Sequence, residues 1–133
     1  MTDLYFHQAY ITRSLGLKLG EGLIIMDCDK FKSLNDTLGH QEGDKALIEL
    51  AATIREAFKG KGICYRIGGD EFSVIVNNDI EELIKRLNSL LASKMEANHN
   101  LPTISIGYGI YNGENINAFR EEVDKVMYFS KLN

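Results

Sequence analysis

Two β-rich runs, Ile63-Cys-Tyr-Arg-Ile67 and Phe72-Ser-Val-Ile-Val76, are separated only by the polar tetrad Gly68-Gly69-Asp70-Glu71. So short and glycine-rich a connection between two β-branched runs reads as a tight antiparallel hairpin. Acids at its tip are exposed and held in place by the pairing behind them. Around this hairpin the remaining elements must be arranged. The run Gly22-Leu-Ile-Ile-Met-Asp27 is continuous, apolar and ends in acids, which suits a central strand covered on both faces. From Glu42 to Lys59 the residues Ala46, Leu47, Leu50, Ala51, Ile54, Ala57 and Phe58 recur at three and four, marking an amphipathic helix stopped by Gly60 and Gly62.

Asp79 can cap a further helix with Leu83, Ile84, Leu87, Leu90 and Leu91 on one face, which ends by Asn100. Pro102 to Tyr111 alternates as a strand, and Ile116 to Lys131 places Phe119, Val123, Val126, Met127 and Leu132 on one helical stripe. In the first twenty residues Leu4, Phe6, Ala9, Tyr10, Ile11 and Leu15 fit a helix that exits at Gly16 and Gly20. Strand, helix, hairpin, helix, strand and helix define an α+β fold. It is a palm or ferredoxin-like antiparallel sheet with helices packed on it, close to the split βαβ pattern. A single domain over residues 1–133 accounts for the whole length.

Composition narrows the partners. With 15 Lys and Arg against 19 Asp and Glu, the formal charge of −4 excludes a binder of long nucleic acid that works by bulk charge. A small basic cluster could still hold phosphates. Cys28 and Cys64 sit in apolar runs without a CxxC or a zinc-like spacing, as expected of two buried thiols in the reducing cytoplasm. No apolar run approaches the ~18 residues of a membrane span, and nothing resembles a signal peptide. Any sensor is expected on another chain.

The topology brings two acidic clusters together: Asp27 and Asp29 leave the first strand, and Asp70 and Glu71 sit on the neighbouring hairpin. Hard oxygens without His or Cys suit Mg²⁺ or Mn²⁺, which is commonly held by one or two carboxylates plus substrate phosphates. That layout serves two-metal phosphoryl or nucleotidyl transfer. The plainer alternative is that Asp27 and Asp29 cap the next turn and that Gly68 to Glu71 is a solvated hairpin. A calcium loop over Asp27 to Asp36 is disfavoured by Lys32, which stands where such a loop needs glycine.

Together the residues are more specific than either cluster. Arg66-Ile-Gly68-Gly69-Asp70-Glu71-Phe72 carries the signature of the GGDEF family of nucleotide cyclases. The stretch Asp27-Cys-Asp-Lys-Phe31-Lys32-Ser-Leu-Asn35-Asp36-Thr-Leu-Gly39-His40-Gln-Glu-Gly43-Asp44 resembles that family's second signature. Thr103 to Gly107 is similar to its late strand and Asp124 to Lys131 to its final helix. The resemblance implies a palm-like fold and a two-metal reaction joining nucleoside triphosphates with loss of pyrophosphate. It also implies two Mg²⁺ or Mn²⁺ per site, held by Asp27, Asp70 and the main chain of Cys28. By the same resemblance Glu71 assists deprotonation of the attacking hydroxyl or completes the metal site, and Phe31, Lys32 and Lys131 contact phosphate. Asn35 and Asp44 read the base. Independently of the family, Gly68 and Gly69 give a turn that leaves room for a nucleotide, Lys32 and Lys131 are point charges suited to phosphate, and Asn35 and Asp44 carry the donors and acceptors a base requires. Asn35 and Asp44 could equally be a cap and a first-turn acid.

The departures point further. The family's usual Asp-x-Leu-Thr-Gly-Leu opening is replaced by Asp3-Leu4-Tyr5-Phe6-His7, its inhibitory Arg-x-x-Asp by Lys59-Gly-Lys-Gly62, and its Gly-Arg-Asn ending is not reached before Asn133. A palm so reduced resembles the minimal CRISPR polymerase family. That resemblance implies ATP as the favoured substrate, an anti-phage cyclic dinucleotide, and an effector on another chain that reads it. A homodimer with the active site at its interface is expected, since one subunit holds half the reaction. Two alternatives are a diguanylate cyclase using GTP and a silent nucleotide-binding module. The crowded carboxylates count against the second, because they repel one another without a metal.

Overall fold

The computed structural model describes residues 7–131, so Leu4, Phe6 and Leu132 of the expected stripes lie outside the described residues. The apolar run is strand β1 (Gly22–Cys28), and the hairpin is β2 (Gly62–Arg66) with β3 (Glu71–Val76). The late strand β4 (Ile104–Ile110) is two residues shorter at its start than the alternation suggested. Its missing end is used otherwise, since the Thr103 carbonyl accepts the Asp29 N–H at 2.8 Å. Hydrogen bonding orders the antiparallel sheet β2-β3-β1-β4, which makes β1 an inner strand.

Period-two alternation divides β1 between two cores. Ile24, Met26 and Cys28 join Phe72, Val74 and Val76 under helices α3 (His40–Phe58) and α4 (Ile80–Ala97). Leu23 and Ile25 join Tyr65 and Ile75 on the opposite face, beneath α1 (His7–Leu15) and α5 (Ile116–Lys131). Side chains as fully enclosed as Leu23, Ile24 and Met26 each contribute roughly 1.5–3 kcal/mol by leaving water. Asp27 falls on the α5 face by the same alternation. Ser105, Gly107 and Gly109 form the small-residue side of β4, and a Cβ at Gly107 would lie 2.4 Å from the Met127 nitrogen and the Val123 oxygen. Glycine is what lets α5 rest directly on the sheet.

Several expectations change. A helix absent from the periodicity reading, α2 (Phe31–Leu38), follows β1. Eight residues with no fully buried side chain give too little pattern to read. Lys30 enters α2 with φ 54°, and Gly39, at φ 89°, turns the chain into α3. Asp79 stands at the start of α4 but makes no side-chain cap there; its carbonyl accepts the Leu83 N–H instead. Leu15 and Val126 are exposed rather than buried, and the stripes narrow to Tyr10 on α1 and to Phe119, Val123 and Met127 on α5. Cys64 is half-buried rather than enclosed. Burial pushes both thiols up to about 12, so they are unreactive packing groups. Glu21, unremarked in the sequence, is buried and grips the Arg13 guanidinium with both oxygens; that hydrogen bonding lowers its carboxyl pKa.

Candidate active site

The site is built where β1, the β2-β3 turn and the last turn of α5 meet. Asp27 pairs across the ladder with Glu71, and the Cys28 N–H donates to the Asp70 carbonyl at 3.0 Å. Backbone register therefore sets Asp27, Asp70 and Glu71 side by side. Lys131 arrives from α5, its Nζ 2.6 Å from Asp27 Oδ2. The other oxygen, Asp27 Oδ1, is buried with no hydrogen-bond partner.

Crowding sets the electrostatics. Burial first, then the Asp27 charge, raises the Asp70 carboxyl above the usual carboxylate range. Glu71 is raised by burial and by Asp27 and Asp70, with Lys131 opposing. Lys131 is itself raised, chiefly by its hydrogen bond to Asp27. Among the described residues no group of three or more His, Cys, Asp and Glu side chains is gathered as a ready metal site. Yet the orphaned Asp27 oxygen and the mutually repelling carboxylates fit a hard divalent cation.

Asp29 does not share the cluster. Thr103 and Ser105 donate their hydroxyls to it at 2.7 and 2.5 Å, which makes it the clasp between β1 and β4. Arg66, to which the sequence reading attached no role, holds the hairpin turn by donating to the carbonyls of Gly68 at 3.3 Å and Gly69 at 2.5 Å. An arginine at the foot of a polar turn was the available signal. Neither glycine there has the positive φ that would demand its type. A Cβ on Gly68 would come within 3.1 Å of Glu71 Oε1, and Gly69 faces open space, so room rather than backbone conformation is what they provide.

Phe31 and Lys32 open α2, whose first turn lacks a side-chain cap, leaving N–H groups suited to an anion. Asn35 lies on α2 with its amide oxygen buried and unpartnered, against Gly43 of α3. Asp44 follows on α3 and is exposed. A groove of about 780 Å³ runs along α2 between Lys30, Ser33 and Leu34 and the segment from His99 to Thr103, with Lys131 at its margin. Asn35 and Asp44 do not line it.

The four-stranded antiparallel sheet with helices packed on it has the α+β architecture of GGDEF domain structures. The family described as diguanylate cyclase, GGDEF domain, matches residues 11–133, and the chain belongs to it. Diguanylate cyclase A of Treponema denticola is 33% identical over 120 residues, covering 84% of this chain and 32% of that protein. Diguanylate cyclase DgcS of Shewanella oneidensis is 36% identical over 117 residues, covering 84% of this chain and 39% of that protein. The chain thus spans between about a quarter and two-fifths of the length of such curated relatives. Among solved structures, the GGDEF domain of DgcB from Caulobacter crescentus in complex with c-di-GMP superposes with a TM-score of 0.77 at 24% identity, covering 98% of this chain and 87% of that one. Its likeness concerns the fold. Among the described residues no helix is long and apolar enough to cross a membrane.

Proposed function

We propose that this domain condenses two GTP molecules into cyclic di-GMP with release of two pyrophosphates, and that it does so as a homodimer with one nucleotide on each copy. The observation that carries the reading is the meeting of Asp27, Asp70 and Glu71 at one end of β1, with Lys131 over them. In each half-reaction a ribose hydroxyl oxygen bonds to the α-phosphorus of the facing nucleotide and the bond to pyrophosphate breaks. A bound divalent cation would supply charge neutralisation there and acidify the attacking hydroxyl. Asp27, Asp70 and the Cys28 main chain are the groups to hold it. Glu71, paired across the ladder with Asp27, is placed to take the hydroxyl proton. Lys131, Lys32 and the open α2 amides hold the departing phosphates.

Base selection follows from hydrogen-bonding capacity. Asn35 Oδ1 is an acceptor in want of a donor, and Asp44 offers further acceptors. Guanine presents a ring N–H and an exocyclic amine side by side, whereas adenine pairs its amine with a ring acceptor. The residues and the diguanylate cyclases among the relatives favour GTP. The expectation of ATP, of kinship with the minimal CRISPR polymerases and of an anti-phage role draws only on departures from family motifs.

The test is incubation of the purified chain with Mn²⁺ or Mg²⁺ and GTP, ATP or both, with products identified by mass spectrometry. Cyclic di-GMP is the expected product. Cyclic di-adenylate would return the ATP reading, and tight nucleotide binding without product would turn the domain into a silent receptor.

Gly43→Ala tests the base site. An added Cβ would fall 1.6 Å from Asn35 Oδ1 and turn the amide out of place. Affinity for an unreactive GTP analogue is expected to fall about tenfold, the order of one or two lost hydrogen bonds. The melting midpoint should stay close to wild type, because alanine favours the helix by about 0.5–1 kcal/mol. Calorimetric titration showing undiminished affinity would remove Asn35 from the site.

A further inference from the structure

Lys131 stands between two anionic destinations. Its ammonium holds Asp27 Oδ2 at 2.6 Å, while the same side chain borders the groove beside Lys30 and Ser33 at the start of α2. Asp27 is only 15% exposed and its second oxygen is enclosed, so a cation approaching this carboxylate meets the lysine first. Lys131 is freer, with 30% of its side chain exposed on the last turn of α5. Its four-carbon stem can swing from carboxylate to phosphate without moving the helix.

Building on the cyclase reading, we infer that Lys131 is an internal cation that competes with the divalent ion for Asp27 and is drawn off by the triphosphate, so that ion and nucleotide bind cooperatively. Asp27, Asp70 and Glu71 put up to three negative charges at one end of β1, and Lys131 is the cation bonded to one of them. A divalent ion arriving alone must displace that ammonium or tolerate its repulsion. Once phosphate takes the lysine, Oδ2 is released and the repulsion is gone. The coupling is reciprocal: whatever the triphosphate adds to ion affinity, the ion adds to triphosphate affinity. A domain so built would not hold the ion tightly without nucleotide, and it would bind the pair in preference to either alone.

The test measures Mn²⁺ binding by the electron paramagnetic resonance of free ion, with and without α,β-methylene GTP, for wild type, Lys131→Met and Lys125→Met. Lys125 is an exposed lysine of the same helix. Without nucleotide, Lys131→Met is expected to bind Mn²⁺ at least about fivefold tighter, the lower end of ordinary site-to-site coupling. The enhancement by the analogue should shrink correspondingly, with Lys125→Met behaving as wild type and all three melting as folded proteins. Affinity in Lys131→Met equal to or below wild type, or an equal gain in Lys125→Met, overturns the inference and leaves the cyclase reading standing. No Mn²⁺ binding by any of the three overturns both. A product other than cyclic di-GMP bears on the reading alone.

Discussion

Asp70→Asn is expected to lower cyclase turnover by about 10³-fold or more while leaving the fold intact. The variant keeps the shape of the side chain and removes the charge that, with Asp27, would hold the divalent ion. Losing several kcal/mol of charge stabilisation in the transition state corresponds to a factor of that size. Its effect on stability should run the other way. Burial and the neighbouring Asp27 raise the Asp70 pKa, so its ionised form is disfavoured in the native state. Such a group contributes stability below the unfolded carboxylate pKa and loses it as pH climbs through the raised native value. In chelator, wild type should therefore shed stability above about pH 4, and Asp70→Asn should melt at the same temperature or higher near neutrality. Glu71 adds to the same trend. Lys131, raised chiefly by its hydrogen bond to Asp27, has the same sign of dependence in a higher window, keeping its contribution through neutrality and losing it only as pH rises past its ordinary value of about 10.5. Turnover within tenfold of wild type would show that Asp70 does not hold the ion.

Gly107→Ala is expected to be the most destabilising single methyl addition in the β4-α5 contact. Its Cβ would meet main-chain atoms of α5 at 2.4 Å, and a helix backbone cannot step aside as a rotamer can. Overpacking of this kind costs about 3 kcal/mol, and for a domain of this size the melting midpoint should drop by roughly 10 °C. Gly109→Ala is the internal comparison. Its nearest contacts are the Phe119 ring and a Val123 methyl at 3.2 and 3.3 Å, which can shift, so its penalty should be clearly smaller. Because α5 carries Lys131, Gly107→Ala should also weaken triphosphate binding in whatever fraction remains folded. A loss below about 1 kcal/mol in denaturant titration, against the 1–3 kcal/mol typical of overpacking, would mean that α5 does not lie against β4 as described.

Much of this was legible because long periodic elements announce themselves. The spacing of Leu47, Leu50, Ile54 and Phe58 marked α3, and the two runs around Gly68 to Glu71 marked the hairpin. Short or chemically neutral features were not. Helix α2 buries no side chain completely, so Phe31, Leu34 and Leu38 formed no readable stripe. Leu15 and Val126 fitted their stripes by spacing, yet neither is covered, because the sheet supports only part of each helix. At the site, Asp27, Asp70 and Glu71 were marked by chain order and by their motif. The part played by Asp29 was not, because the Thr103 and Ser105 hydroxyls that occupy it are 74 and 76 residues away. The closure of Asn35 on Gly43 also needed the fold, since glycine in a helix otherwise reads only as a weak point.

The Asp27–Lys131 bond spans 104 residues of sequence. At ribosomal speeds of about 5–20 residues per second, the lysine is made roughly 5–20 s after the aspartate it will hold. Until then β1 has its carboxylate but not its cation, and the pair closes only as the last turn of α5 is made. On the cyclase reading proposed above, turnover could begin only once α5 is complete.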